Sequence, residues 1–128
     1  MLLPKDLYYT ENHEWIFVEG KKGTIGVTEH AQKEMGDIVF VELPEIGDNF
    51  EQFDSFAVIE SVKAVSDVYL PVGGKVIAIN QDILEQPELV NDEPIESGWL
   101  VEIEISNLDE LESLMDDEAY AHYLEEGK

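Results

Sequence analysis

Two β-rich runs with almost nothing between them constrain this chain most. Phe56-Ala57-Val58-Ile59 and Val68-Tyr69-Leu70 have the β-branched and aromatic character of strands. Read outward, residues 55–62 and 65–70 bracket Lys63 and leave no room for a long loop. That spacing predicts an antiparallel hairpin whose tip carries Lys63 outward. The tip lacks the residues that two-residue turns favour, since Val62-Lys63 is neither Asn-Gly nor Asp-Gly. Lys63 is also the one cation between Lys33 and Lys75 in a strongly acidic chain. An arbitrary lysine at a loop tip is simply solvated. Here the unfavourable turn residues and the isolation point to a lysine that bears something.

Composition narrows what that is. The 128 residues contain Asp+Glu 30 against Lys+Arg 7, a formal net charge of −23, and every cation of the seven is a lysine. A strongly negative field without a guanidinium fork argues against nucleic acid and against an anionic membrane surface. The acidity serves solubility or docking onto basic partner surfaces. No cysteine is present, which removes disulfides, thiolate metal sites and thiol nucleophiles together. His13, His30 and His122 show no metal-ligand spacing and read as structural or surface groups. Any redox chemistry therefore has to arrive on a cofactor. A Schiff-base lysine needs burial or a cationic neighbour to lower its pKa. Glu60 and Asp67 flank Lys63 in sequence and favour the ammonium form instead. An outward lysine on a fixed base suits enzymatic acylation, which removes the charge and leaves a long tether.

The remaining chain reads as one domain, residues 1–128, rich in short strands with a helical segment at about 107–126. Thr28 is placed to cap a helix from Glu29 to Met35, and Gly36 to stop it. Residues 49–54 are ambiguous, and residues 81–94 read as connector interrupted by Pro87 and Pro94. Ser106-Asn107-Leu108-Asp109 matches a capping box, and Asp116 or Asp117 is placed to cap a final helix. The pattern predicts a mainly β (α+β) fold, a small sandwich or flattened barrel with peripheral helices. Met1-Leu2-Leu3-Pro4-Lys5-Asp6 has neither a signal-peptide apolar run nor transit-sequence character, so an intracellular protein is expected.

Glu60-Ser61-Val62-Lys63-Ala64 resembles the lipoyl-attachment signature of the glycine cleavage system H protein family. Other stretches are similar to family motifs in the same order: His13-Glu14-Trp15, Gly26-Val27-Thr28-Glu29-His30-Ala31-Gln32, Gly36-Asp37-Ile38-Val39-Phe40-Val41-Glu42-Leu43-Pro44, Ser66-Asp67-Val68-Tyr69, Pro87-Glu88-Leu89-Val90-Asn91 with Pro94, and Gly98-Trp99-Leu100. The likeness runs from about Tyr9 to Tyr123. Biotin carriers resemble these proteins in fold but typically place Met on both sides of the lysine, where this chain has Val62 and Ala64.

The resemblance implies a lipoyl/biotinyl-carrier-like flattened β-barrel sandwich with lipoate amide-linked to Lys63. Glu60, Ser61, Val62 and Ala64 would be the features read by the attaching enzyme. It implies a shuttle that takes the aminomethyl group of glycine from the P protein to the T protein and passes reducing equivalents to the L protein. The chain itself would be a carrier and not an enzyme, a monomer loaded by a lipoyl ligase or lipoyl transferase. Its place would be the bacterial cytoplasm, or the mitochondrial matrix for a processed eukaryotic form. By position, Asn12, Glu14 and Asp67 match the polar residues of a cleft that shelters the loaded arm. Without the resemblance Glu14 is a surface acid beside Trp15. A lipoyl relay serving 2-oxoacid dehydrogenase complexes is the alternative function, and an unmodified acidic binding module is a third. Three positions depart from the family pattern: Phe53 where a turn glycine is usual, Gly73 where a small polar residue is common, and Ile95 where tyrosine is frequent.

Overall fold

The structure is a computed structural model that describes residues 7–127. The amino-terminal stretch read above, residues 1–6, and Lys128 lie outside the described residues. Among the described residues, nine strands form two antiparallel sheets: β1 (Leu7–Tyr9), β2 (Glu14–Glu19), β3 (Lys22–Val27), β4 (Ile38–Glu42), β5 (Asn49–Phe50), β6 (Ser55–Ser61), β7 (Val65–Tyr69), β8 (Gly74–Ile79) and β9 (Val101–Ile105). One sheet runs β1-β2-β3-β9-β8-β5 and the other β4-β6-β7. The ambiguous segment at 49–54 thus begins as a two-residue strand beside β8.

Alternation along the strands turns apolar side chains into the space between the sheets. Ile16, Ile25, Val76, Val101 and Ile103 from the large sheet meet Val41, Phe56, Ile59 and Val68 from the small one in a single buried cluster. A second buried cluster, Leu7, Tyr9, Trp15 and Tyr120, seats the carboxy-terminal helix against β1 and β2. Trp15 lies against Gly26, its cross-strand partner, where any Cβ would come within 2.7 Å of the indole. The indole N–H donates to the carbonyls of Val27 (3.0 Å) and Pro94 (3.1 Å). Ile95, one of the three departures, packs on this second cluster.

The helix α1 (Glu29–Met35) is capped as its sequence predicts. The Thr28 hydroxyl accepts from Ala31 N–H, and Gly36 terminates the helix at φ +83°. The connector at 81–94 holds two short helices, α2 (Asp82–Glu85) and α3 (Glu88–Asp92), divided at Pro87. The predicted helical segment at 107–126 is two pieces. A 3₁₀ turn spans Leu108–Ser113, and its cap is Asn107 and not Ser106. The helix α4 (Asp117–Gly127) follows, with Asp116 Oδ1 accepting from Ala119 N–H at 2.8 Å. Between them Met115 exchanges two backbone hydrogen bonds with Tyr9, of 2.8 and 2.9 Å. The chain is therefore extended at Met115, between the two helical pieces that the capping signals at 106–109 and 116–117 predict.

Phe53 occupies the left-handed region at φ +68°. The turn therefore keeps a glycine-like backbone without a glycine, at a cost in strain. Gly73 lies against that same turn, where a Cβ would come within 3.0–3.1 Å of backbone atoms of Phe50, Gln52 and Glu51. Two of the three departures are thus neighbours in space.

Candidate functional site

The hairpin at Lys63 is as tight as the sequence requires. Ala57↔Val68, Val58↔Asp67, Ile59↔Ser66 and Glu60↔Val65 pair in register, which leaves Val62 and Lys63 as a two-residue tip. Neither tip residue has positive φ, so the turn is not one of the primed types that such hairpins favour. Ser61 supplies what the turn residues lack. Its hydroxyl oxygen accepts from the N–H groups of Lys63 (3.2 Å) and Ala64 (3.1 Å), while Ser61 N–H donates to the Ala64 carbonyl at 2.8 Å. Val62 N–H donates to the Asp37 carbonyl at 3.0 Å, fastening the tip to the start of β4.

A third fastening comes from a residue whose role the sequence did not reveal. Asn91 donates to the Gly36 carbonyl (2.9 Å) and to Gln32 Oε1 (2.8 Å), and accepts from Ile38 N–H (2.9 Å). It thereby fixes both residues flanking Asp37, on which the hairpin leans. The Lys63 stem passes over the end of α1, where a Cβ on Gly36 would sit 3.5 Å from Lys63 Cε. Lys63 is exposed, and among the described residues it forms no ion pair. The acids that flank it in sequence lie down the strands: Glu60 opposite Val65, and Asp67 opposite Val58 with its Oδ1 accepting from the Ser55 hydroxyl at 3.2 Å. The residues around the tip are apolar and exposed, with Val62 and Val65 each 69% accessible.

Beside this hairpin is a cleft of about 170 Å³. Asn12, His13 and Glu14 form one wall, Ala31, Glu34 and Met35 of α1 another, and Ile59, Ser66, Asp67 and Val68 the third. The three residues matched to an arm-sheltering cleft by position, Asn12, Glu14 and Asp67, all line it, although they come from two distant stretches of chain. Glu14 is not a surface acid: it is buried at 2% exposure. The Thr10 hydroxyl donates to Glu14 Oε1 at 2.5 Å and Tyr69 N–H donates to Oε2 at 3.0 Å. Burial pushes the Glu14 carboxyl up to about 6, against the opposing pull of those two hydrogen bonds. Each oxygen keeps lone-pair capacity for a further donor in the cleft.

His13 and His30, distant in sequence, come together with ring centroids 4.4 Å apart. His13 Nδ1 lies 2.8 Å from the Tyr120 hydroxyl, and burial followed by the neighbouring His30 lowers its pKa. His30 Nε2 lies 3.8 Å from Glu34. No group of three or more His, Cys, Asp or Glu among the described residues has metal-site geometry.

Comparison with known proteins agrees with this architecture. The family model described as "Glycine cleavage H-protein" matches residues 7–127. A "Glycine cleavage system H protein" of Halothermothrix orenii is 63% identical over 98% of both chains. The mitochondrial "Glycine cleavage system H protein 2" of Arabidopsis thaliana is 48% identical over 95% of this chain and 78% of its own. The crystal structure of a glycine cleavage system H protein from Mycobacterium marinum superimposes with a TM-score of 0.88 at 31% identity, covering 96% of this chain and 99% of that one. A lysine-tipped hairpin on a two-sheet sandwich, a family match over nearly the whole chain and relatives that align almost end to end lead to one conclusion: this chain belongs to the glycine cleavage H-protein family.

Proposed function

We propose that this chain is a lipoyl-lysine carrier of glycine cleavage, with lipoate joined by an amide to Lys63. It would move the aminomethyl group of glycine from the P protein to the T protein and reducing equivalents to the L protein. One observation carries the reading: an exposed lysine, free of ion pairs among the described residues, at a two-residue tip fastened from three sides. The residues fit the group, because the ε-amine is open to an attaching enzyme while the base of the arm is fixed. When bound, lipoate supplies a dithiolane that accepts a carbon group and two electrons, which a chain without cysteine cannot supply itself.

The chain's own residues then position and protect. Ser61 and the Asp37 carbonyl hold the tip so that the tether swings from a fixed point. Glu14 offers a carboxylate to a protonated amine carried into the cleft, with Asp67 at a second wall and Asn12 at the turn. The apolar lining from Met35, Ile59 and Val68 limits water around that amine. Glu60, Ser61, Val62 and Ala64 form the surface that a lipoyl ligase or lipoyl transferase meets first. This role makes the chain a carrier substrate and not a catalyst.

A lipoyl relay would use the same lysine but has no aminomethyl cargo to shelter, so the buried, desolvated Glu14 favours the shuttle. No helix among the described residues is long and apolar enough to cross a membrane. We place the carrier, as a monomer, in the bacterial cytoplasm or its mitochondrial counterpart. The deciding experiment is exchange of labelled bicarbonate into the glycine carboxyl by the fully lipoylated chain with a competent P protein. Exchange is expected; its absence leaves the relay.

A further inference from the structure

The cleft walls come from separate parts of the chain, and something outside the cleft joins them. We propose that Tyr120 of α4 is a positioning residue, whose hydroxyl clamps the β1–β2 turn to the start of α1 and so holds the cleft closed around its cargo. The cargo half of this inference rests on the function proposed above.

The hydroxyl lies 2.8 Å from His13 Nδ1 and 2.9 Å from Thr28 Oγ1. His13 lines the cleft, and Thr28 is the cap of the helix that forms the opposite wall. One arrangement satisfies the amide and both hydroxyls in turn: Ala31 N–H donates to Thr28, the Thr28 hydroxyl to Tyr120, and the Tyr120 hydroxyl to Nδ1 of a neutral His13 ring. His13 needs such a hold, because its backbone sits in the left-handed region at φ +69°, which persists in non-glycine residues only where the surroundings over-determine it. Backbone contact alone ties the turn to α1 at one point, Thr28 N–H to the His13 carbonyl at 2.9 Å.

The clamp is itself rigidly placed. Tyr120 is fully buried and stacks on Tyr9 with centroids 4.4 Å apart and planes 4° from parallel. Tyr9 is bonded in turn to Met115, just before α4. A phenylalanine ring would fill the same space, so packing alone does not account for the hydroxyl. Tyr120 does not line the cleft and is bonded to its surroundings there through His13 and Thr28.

The test is Tyr120→Phe in the full chain, lipoylated and unlipoylated. Amide hydrogen exchange is expected to accelerate at least fivefold at residues 12–14 and 28–31, with β8 and β9 unchanged. Once loaded by P protein and glycine, with T protein absent, the variant is expected to lose its cargo several-fold faster, by hydrolysis to ammonia and formaldehyde. Lipoylation of Lys63 should keep its wild-type rate. Unchanged exchange at the two walls, or exchange raised uniformly across the chain, overturns the clamp. If the phenylalanine variant does not fold, His13→Asn withdraws the ring while keeping a residue that tolerates φ > 0. The same local acceleration is then expected, and its absence is equally decisive. A wild-type chain that is never loaded sinks the proposed function, whereas the exchange data still judge the clamp.

Discussion

Replacing Glu14 with glutamine should change how stability depends on pH, in a direction fixed by burial. The wild-type carboxyl, 2% exposed, has its pKa raised from 4.5 to about 6. The folded state therefore binds this proton more tightly than the unfolded state. Stability contributed by the raised pKa is present below 4.5 and is lost as pH rises through 6. The difference between those two values corresponds to about 2 kcal/mol, most of which falls between pH 4.5 and 7.5. Glutamine carries no titrating proton, so that variant avoids the loss. Its altered bonds to Thr10 and Tyr69 add an offset that does not vary with pH. The stability of Glu14→Gln minus that of wild type should thus rise by most of that amount from pH 4.5 to 7.5. Urea denaturation of both chains across this range measures it, and the large charge common to both cancels in the difference. A difference that stays flat with pH would falsify the account of Glu14 as a desolvated acid. A neutral-pH gain in stability joined to faster cargo loss would show the acid kept for the cleft at the fold's expense.

Two other substitutions test the supports. Phe53→Gly relieves a left-handed phenylalanine, worth about 1–2 kcal/mol, while losing little burial from a half-exposed ring. Less the glycine entropy cost, a net gain of up to about 1 kcal/mol is expected in thermal denaturation, and a clear loss of stability contradicts the strain argument. Asn91→Ala removes three hydrogen bonds, for about 2–3 kcal/mol of stability, and should slow lipoylation by loosening the Gly36–Ile38 platform under the hairpin. A ligase assay at saturating lipoate reads the second effect; an unaltered rate would show that the platform does not matter to attachment.

What was legible in the sequence was local. The hairpin follows from two apolar runs too close for any other connection, and α1 from a threonine cap and a glycine stop seven helical residues apart. What was hidden depends on partners remote in sequence. Glu14 is buried where the two sheets meet, with Tyr69 N–H brought to it from 55 residues away, and nothing beside Glu14 announces that. His13 meets Tyr120 across 107 residues. Asn91 reads as one residue of a motif until its three bonds are traced to the hairpin's base. The Ser106 cap failed for a different reason. Asn107 stands one residue on, caps with equal facility, and satisfies Asp109 N–H at 3.0 Å. Family likeness identifies Asn12, Glu14 and Asp67 as a group, and the approach of β7 to the start of β2, where Tyr69 N–H donates to Glu14, supplies a physical reason for them to meet.

Lys63 exists to bear a cofactor, and the intact mass of the chain reads that out. The chain is incubated with lipoyl ligase, ATP and lipoate, beside Lys63→Ala and Lys63→Arg. A single added lipoyl group is expected on the wild-type chain and none on either variant, both still folded. An unmodified wild-type chain in the presence of an active ligase, or the same addition on Lys63→Ala, would contradict it.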